Sequence, residues 1–539
     1  MAAGLIRASA IMASGTMVSR VLGLVKAVLL AYAIGNVGSL SADAFANGNL
    51  LPNTIYMILL GGVLNAVLVP QIVKAAHGAD GGAGYINKIL TLATTALVGI
   101  TIIAMLAAPW LMHVLVADWS EQQIALATGF AYWCIPQVIF YGIYTVMGEV
   151  LNARSIFGPF TWAPVLNNLI AIAGIIAFIV MFGSDPKGLL AVTGWSPVMI
   201  GLLGGSATLG IVAQALVLFA SWRKAGIRYR PDFSWRGVGL GHTARIATWT
   251  LAMVGVMQIG GVLTNRIVSI GSGAGPSSSA MQLVWLIFMM PHSVIAVSLA
   301  TAYFTRLAEW GQSRRMAEFR EDLSASLRQV SLVMMLASIA IIAAAPFVSR
   351  IINVGAKEEQ VDQFTEPLIA YAVSLAAYSF LFVVQRAFYA LSDTRTPFVF
   401  TTIQMAIVLV LSFGMTFVVE PRYIGLGFAA IWSFATIVET VLAVWLLRRR
   451  IQALDGLRIL RSIVKFVLAS IPALGIGLLV TWLLRMQFGQ VNAVVAVVLA
   501  LVVAAIVTII YLGVLRLLRS PDLAELTGFI SRKLGRTRS

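Results

Sequence analysis

The stretch TMVSRVLGLVKAVLLAYAIGNVGSLSADAFANGNLLPNTIYMILLGGVLNAVLVP, residues 16–70, holds two apolar helical runs that both carry ionisable residues. Arg20 lies near the middle of the first run, so at ~1.5 Å per residue it is expected near the bilayer midplane, with Lys26 about two turns later. A cation at the centre of a spanning helix costs roughly 2.5–3.5 kcal/mol on insertion scales. It therefore needs water, a counter-ion or an anionic ligand.

Helical spacing fixes the faces. Gly15, Ser19, Gly23 and Lys26 recur at steps of four, four and three and form one small, polar stripe, with Arg20 about 100° further round. In the second run Asp43, Asn47, Thr54, Gly61 and Asn65 share a face of a helix that is otherwise apolar. Two polar stripes predict a hydrated cavity lined by charge. The competing reading is that small residues act as packing glue and that Arg20 and Asp43 form a buried structural pair.

Of 539 residues, 60% are hydrophobic and 11% charged, which excludes an ordinary soluble domain and predicts a polytopic, all-α integral membrane protein. The single cysteine, Cys134, excludes a disulfide framework, and His77, His113, His242 and His292 lack ligand spacing, so no metal and no cofactor is expected. The apolar runs divide into about 14 transmembrane helices, the first pair at 9–34 and 45–73 and the last at 461–484 and 490–517. With a cytoplasmic N-terminus, Lys187, Arg350, Lys357, Arg422 and Arg485 fall on the far side and Arg20, Lys26, Arg266 and Arg386 inside spans. The rest of the 37 Lys and Arg fall on the cytoplasmic side. This asymmetry predicts both termini in the cytoplasm. The net charge of +16 thus reads as topology facing anionic membrane lipids, not as a nucleic-acid surface. The first run is too long for a signal peptide and is read as retained.

Further along, GEVLNARSIFGPFTWAPVLNN (148–168) predicts a cytoplasmic turn at Arg154 and Gly158-Pro159, then a helix kinked at Pro164 with the freed carbonyl satisfied by Asn167. RAFYALSDTRTPFVF (386–400) repeats that layout, and Thr248, Gly255, Gln258, Gly261 and Asn265 stripe helix seven as the first pair is striped, with Arg266 at its outer end. The pattern predicts an N-lobe over 1–222, a basic cytoplasmic linker over 223–240, a C-lobe over 241–450, two extra helices over 451–517 forming a lipid-facing groove, and a basic tail over 518–539. An even number of spans per repeat makes the two six-helix lobes parallel, around a central cavity that holds the substrate site. Asp43 and Glu439 are the intramembrane carboxylates, too few for a catalytic constellation, so an enzyme is not expected. Glu149 and Asp393 sit at cytoplasmic helix ends, where capping or an ion pair is the expected role. Glu439 has no obvious partner.

SRVLGLVK at 19–26, DAF at 43–45, LPN at 51–53, VP at 69–70 and RAFYALSDTRTP at 386–397 together resemble the MurJ (MviN) family of lipid II flippases, in the multidrug/oligosaccharidyl-lipid/polysaccharide exporter superfamily. The resemblance covers nearly the whole chain. It implies a bacterial cytoplasmic membrane protein that moves undecaprenyl-pyrophosphate-linked peptidoglycan precursor from the inner to the outer leaflet by alternating access, with cell-wall synthesis proteins as partners. Arg20 and Lys26 would take the pyrophosphate, while Asp43, Asn47 and Asn53 orient polar groups or pair with the cations between cycles. The chain departs from the family pattern in having Lys26 where Arg is usual and in lacking charges at Tyr56, Gly61 and Leu286, a loss that Arg266 is expected to offset in part. Near a sodium site known in some relatives only Asp393 can be placed, so no ion is expected. The alternatives are a cation-coupled exporter or capsule-oligosaccharide flippase of the same superfamily, which would lack the SRVLG and LPN pair, and a non-transporting cell-wall scaffold, which would tolerate neutral Arg20.

Overall fold

The computed structural model describes residues 2–58, 83–154, 156, 158–224, 229–234, 248–451 and 454–525. The chain divides into two compact units, residues 1–279 and 280–539. The first contains α1 (Ala2–Ile34), α2 (Leu40–Tyr56), α3 (Ala83–Leu106), α4 (Ala108–Leu115), α5 (Glu121–Cys134), α6 (Gln137–Ala153), α7 (Gly158–Phe182), α8 (Pro197–Lys224) and α9 (Thr248–Ser269). α10 (Ser278–Pro291) begins at its edge and leads into the second unit, with α11 (Val297–Gln312), α12 (Met316–Ile352), α13 (Glu358–Val373), α14 (Leu375–Ala390), α15 (Arg395–Met415), α16 (Ile424–Ile451), α17 (Gly456–Phe488) and α18 (Ala493–Leu517). Among the described residues, 12 helices are long and apolar enough to cross a membrane, or 13 if the bent pair α13 and α14 counts as one span. The all-α multi-pass architecture is thus as expected. The second expected span, 45–73, is described as far as residue 58, and Gly61, Asn65, His77, His242 and most of the basic linker and tail lie outside the described residues.

Local chemistry explains the breaks. Ser39 caps α2 by accepting from the Ala42 amide at 3.1 Å, Ser120 caps α5 and Asn492 caps α18 in the same way. Gly35, at φ +80, ends α1 in a conformation that a side chain would strain. Pro136 separates α5 from α6, and a π turn at His292–Ala296 follows Pro291 and joins α10 to α11. α13 and α14 meet at a bend of 40°, where Ser374 donates to the Tyr371 carbonyl and lies 3.0 Å from the Ser433 hydroxyl.

The 148–168 joint turns between Ala153 and Gly158 as expected. The carbonyl freed by Pro164 belongs to Phe160, four residues earlier, and it accepts from the Tyr144 hydroxyl at 2.9 Å. Asn167 is not its partner: its amide donates to Gln214 on α8 at 3.0 Å. The side chain three residues beyond the proline points to the next helix, so the neighbouring α6 satisfies the kink.

In the first unit α1 packs along α7, α7 along α8, and α2 against α5. The α2–α5 approach is close: a Cβ on Gly48 would lie 2.7 Å from the Phe130 Cβ and 2.9 Å from the Ala127 carbonyl. In the second unit α17 and α18 pack on α12 and on each other. Their cytoplasmic-side ends, in the expected topology, are pinned by Asp522, which is fully buried, pairs with Arg328 of α12, and accepts from Ser462 of α17 at 2.7 Å. Breaking such a buried pair strands a charge, at a cost of about 3–5 kcal/mol. Asp522→Ala is therefore expected to lower the thermal unfolding midpoint of the purified protein sharply, and Arg328→Met combined with Asp522→Leu to recover most of the loss, both read by a melting curve in detergent.

Candidate functional site

The polar stripe of α1 packs largely against protein. A Cβ on Gly15 would meet the Trp162 ring at 2.9 Å, and the Asn168 amide donates to the Ser19 carbonyl at 2.9 Å and lies 3.3 Å from its hydroxyl. The small residues of helix one thus form a seam with α7, satisfied by a side chain from that helix.

At the end of the seam the stripe opens. Lys26 lines a cavity of about 170 Å³ inside the first unit, together with Asn49 of α2, Gln137 and Tyr141 of α6, Asn167 of α7 and Ser206 of α8. Gln137 is the hub: its amide donates to Asn49 at 3.2 Å and to the Thr208 hydroxyl at 3.0 Å, and its carbonyl oxygen accepts from Tyr141 at 3.1 Å. Among the described residues no carboxylate lines this cavity and nothing pairs with the ammonium of Lys26. The wall beside it is apolar, with Leu30, Phe45 and Leu203. An ammonium held in a low-dielectric, amide-lined space with no anion of its own is suited to attract one.

The other expected site residues separate by role. Arg20 is half-buried and lies about 120° around α1 from Lys26, outside the cavity lining. Asp43 is fully buried; its two oxygens accept from the Ser272 hydroxyl at 2.7 Å and the Ser279 amide at 2.8 Å. Asn47, also fully buried, donates to the Asp43 carbonyl at 2.9 Å and accepts from Asn265 at 2.7 Å, and Asn265 also bonds the Leu115 carbonyl. Asp43 and Asn47 together tie α2 to α9 and to the 270–277 turn. Arg266 bonds the carbonyls of His113, Val114 and Val116 and so closes the end of α4, where the helix dipole also favours a cation. Asn53 is exposed. Tyr56, where the family resemblance expects a charge, shares a 2.7 Å hydrogen bond with Thr145. Asp393 accepts from the Thr396 amide at 3.0 Å and its hydroxyl at 2.8 Å, the capping role expected of it.

Sequence reasoning missed Gln137, Tyr141 and Asn49. Each sits in an apolar run with no charge to mark it, and only the packing of α2 and α6 beside Lys26 brings them together.

In the second unit a larger cavity of about 810 Å³ lies among α12, α14, α16 and α17. Met335, Phe380, Val444, Leu460 and Ile463 give it an apolar wall, with Arg448 and Asp455 in its lining. Its apolar wall suits a hydrocarbon chain.

The model of the family described as lipid II flippase MurJ matches residues 30–500. A probable lipid II flippase MurJ of Rhizobium tropici is 26% identical over 446 residues, covering 80% of each chain. That of Haemophilus influenzae is 25% identical over 494 residues, covering 86% of this chain and 89% of its own. Among solved structures, a lipid II flippase MurJ in an inward closed conformation superposes with a TM-score of 0.69 at 17% identity, over 93% of this chain and 98% of that one. An inward-facing multidrug resistance MATE family transporter of the MOP superfamily gives 0.64 at 16% identity, over 81% and 96%. These structural likenesses are to the fold.

The roles of Asp43 and Asn53 are separable by stability. Asp43→Ala leaves a hydroxyl and an amide unpaired, at about 1–3 kcal/mol, and is expected to lower the melting midpoint in detergent. Asn53→Ala, at an exposed position, is expected to change stability by less than about 0.5 kcal/mol.

Proposed function

The chain belongs to the MurJ family of lipid II flippases, and from that premise we propose how its own residues serve the transport of lipid II. It is a multi-pass transporter of the bacterial inner membrane, not an enzyme, and its substrate is the lipid-linked peptidoglycan precursor. Lys26 carries the proposal: it is a cation inside the first unit with a polar cavity in front of it and no counter-ion among the described residues. The pyrophosphate of the carrier is the anion that matches it, and an ammonium binds phosphate as a point charge without a fixed approach direction. Asn49, Gln137 and Asn167 supply amide donors and acceptors beside it.

Arg20, on the adjoining face of the same helix, is the second cation for the pyrophosphate. Asp43, Asn47 and Arg266 act one step removed: they hold α2, α4 and α9 together so that the cavity wall keeps its form while the protein cycles between inward and outward states. The polyprenyl tail takes the apolar cavity of the second unit, against α17. Both termini lie in the cytoplasm, as the distribution of Lys and Arg favours. A ligand drives such a cycle only through its different affinity for the two states, so the cation must meet the pyrophosphate better in one than in the other.

Growth tests this reading. In a bacterium depleted of its own lipid II flippase, the wild-type chain and Lys26→Arg are expected to support growth and Lys26→Ala to fail at equal membrane levels. Growth with Lys26→Ala contradicts the cation site, and failure of the well-expressed wild type contradicts the flippase reading for this chain.

A further inference from the structure

We propose that Glu439 is a proton-binding site in the second unit and that its carboxyl is loaded and emptied as the transporter cycles, an inference that rests on the transport reading. Glu439 lies on α16, is 7% exposed, and accepts a hydrogen bond of 3.1 Å from the Thr401 hydroxyl of α15. Among the described residues that hydroxyl is its one donor and no cation pairs with it.

Among the described residues none of the charged groups on the surrounding helices pairs with Glu439. On α13, Glu358 meets Arg350 and Arg485, Asp362 meets Arg485, and Glu359 meets Arg422, which also lies near Glu366. On α14, Tyr378 is the titratable group facing Glu439; Arg386 stacks on Phe304 and Phe382, with Tyr389 beside it. Tyr371 of α13 packs on Trp285 and Phe288. α15 offers Arg395 at its first residue, six positions before Thr401, and α16 its own Arg448, Arg449 and Arg450 in the last turn.

A second observation sets this carboxyl apart from the satisfied Asp43. Trp432, Thr436 and Glu439 recur at steps of four and three, so they share one face of α16. The Trp432 indole nitrogen and the Thr436 hydroxyl are both buried with no hydrogen-bond partner among the described residues. A polar track thus leads along the helix to an acid with no cation to balance it. Burying an unpaired carboxylate costs several kcal/mol. A proton on Oε2 removes the charge while Oε1 keeps its bond from Thr401, so the step is protonation of a carboxylate to a carboxylic acid and needs no other reactant. A packing role would be filled equally by glutamine.

Two measurements on the full chain test the proposal. In purified protein, infrared difference spectra between acid and alkaline buffers are expected to contain a protonated-carboxyl C=O band that Glu439→Gln removes; a band set identical in the variant overturns the proposal. In proteoliposomes, lipid II flipping by the wild type is expected to change at least threefold with an imposed pH gradient, and flipping by Glu439→Gln to be indifferent to it. Wild-type flipping that ignores the gradient, or a variant that still follows it, overturns the proton site and leaves the flippase reading standing. Absence of flipping by the wild type contradicts the flippase reading, and the infrared band alone then decides the proton site.

Discussion

Inside a membrane protein little bulk water is at hand to satisfy a polar group, so most find a partner in the chain itself. Most of this structure follows from that constraint. Asn168 reaches back to Ser19, Tyr144 reaches the carbonyl that Pro164 frees, and Asn265 bridges Asn47 and the end of α4. Asp522 binds α12 and α17 through Arg328 and Ser462. These bonds run between different helices, most of them distant in sequence, and fix which faces meet. Against this background the ionisable groups left without a charge partner stand out. Among the described residues Lys26 of the first unit and Glu439 of the second are two such groups.

The two fit one transporter. A cation held ready in a polar cavity suits a substrate whose constant chemical feature is a pyrophosphate, and an apolar cavity lined by α12, α14, α16 and α17 suits its hydrocarbon tail. Relative to a guanidinium, the ammonium of Lys26 gives up a bidentate fork but gains freedom of approach, and it needs less room in a cavity of about 170 Å³.

Much of the fold was legible because hydropathy and helix punctuation are local. Gly158-Pro159 marks its break in the sequence, and the 28-residue α8 and 25-residue α18 are plain apolar runs. The site was legible only in part. Lys26 announced itself because charge in a span is rare, whereas Gln137 and Asn49 carry no charge. The surroundings of Asp43 and Arg266 could not be read either, since their partners lie about 150–240 residues away in sequence. A stripe calculation shows that Asp43 faces something polar; it cannot show that the something is Ser272 and Ser279. The same limit produced the misassigned partner of the Phe160 carbonyl, because Tyr144 comes from the preceding helix.

The central claim is that the ammonium of Lys26 holds the pyrophosphate. Equilibrium binding of lipid II to the purified full-length protein tests it most directly, with Lys26→Met compared against wild type. The account predicts at least a tenfold weaker affinity for the variant, about 1.4 kcal/mol, at unchanged thermal stability. Equal affinities for the two proteins would contradict it.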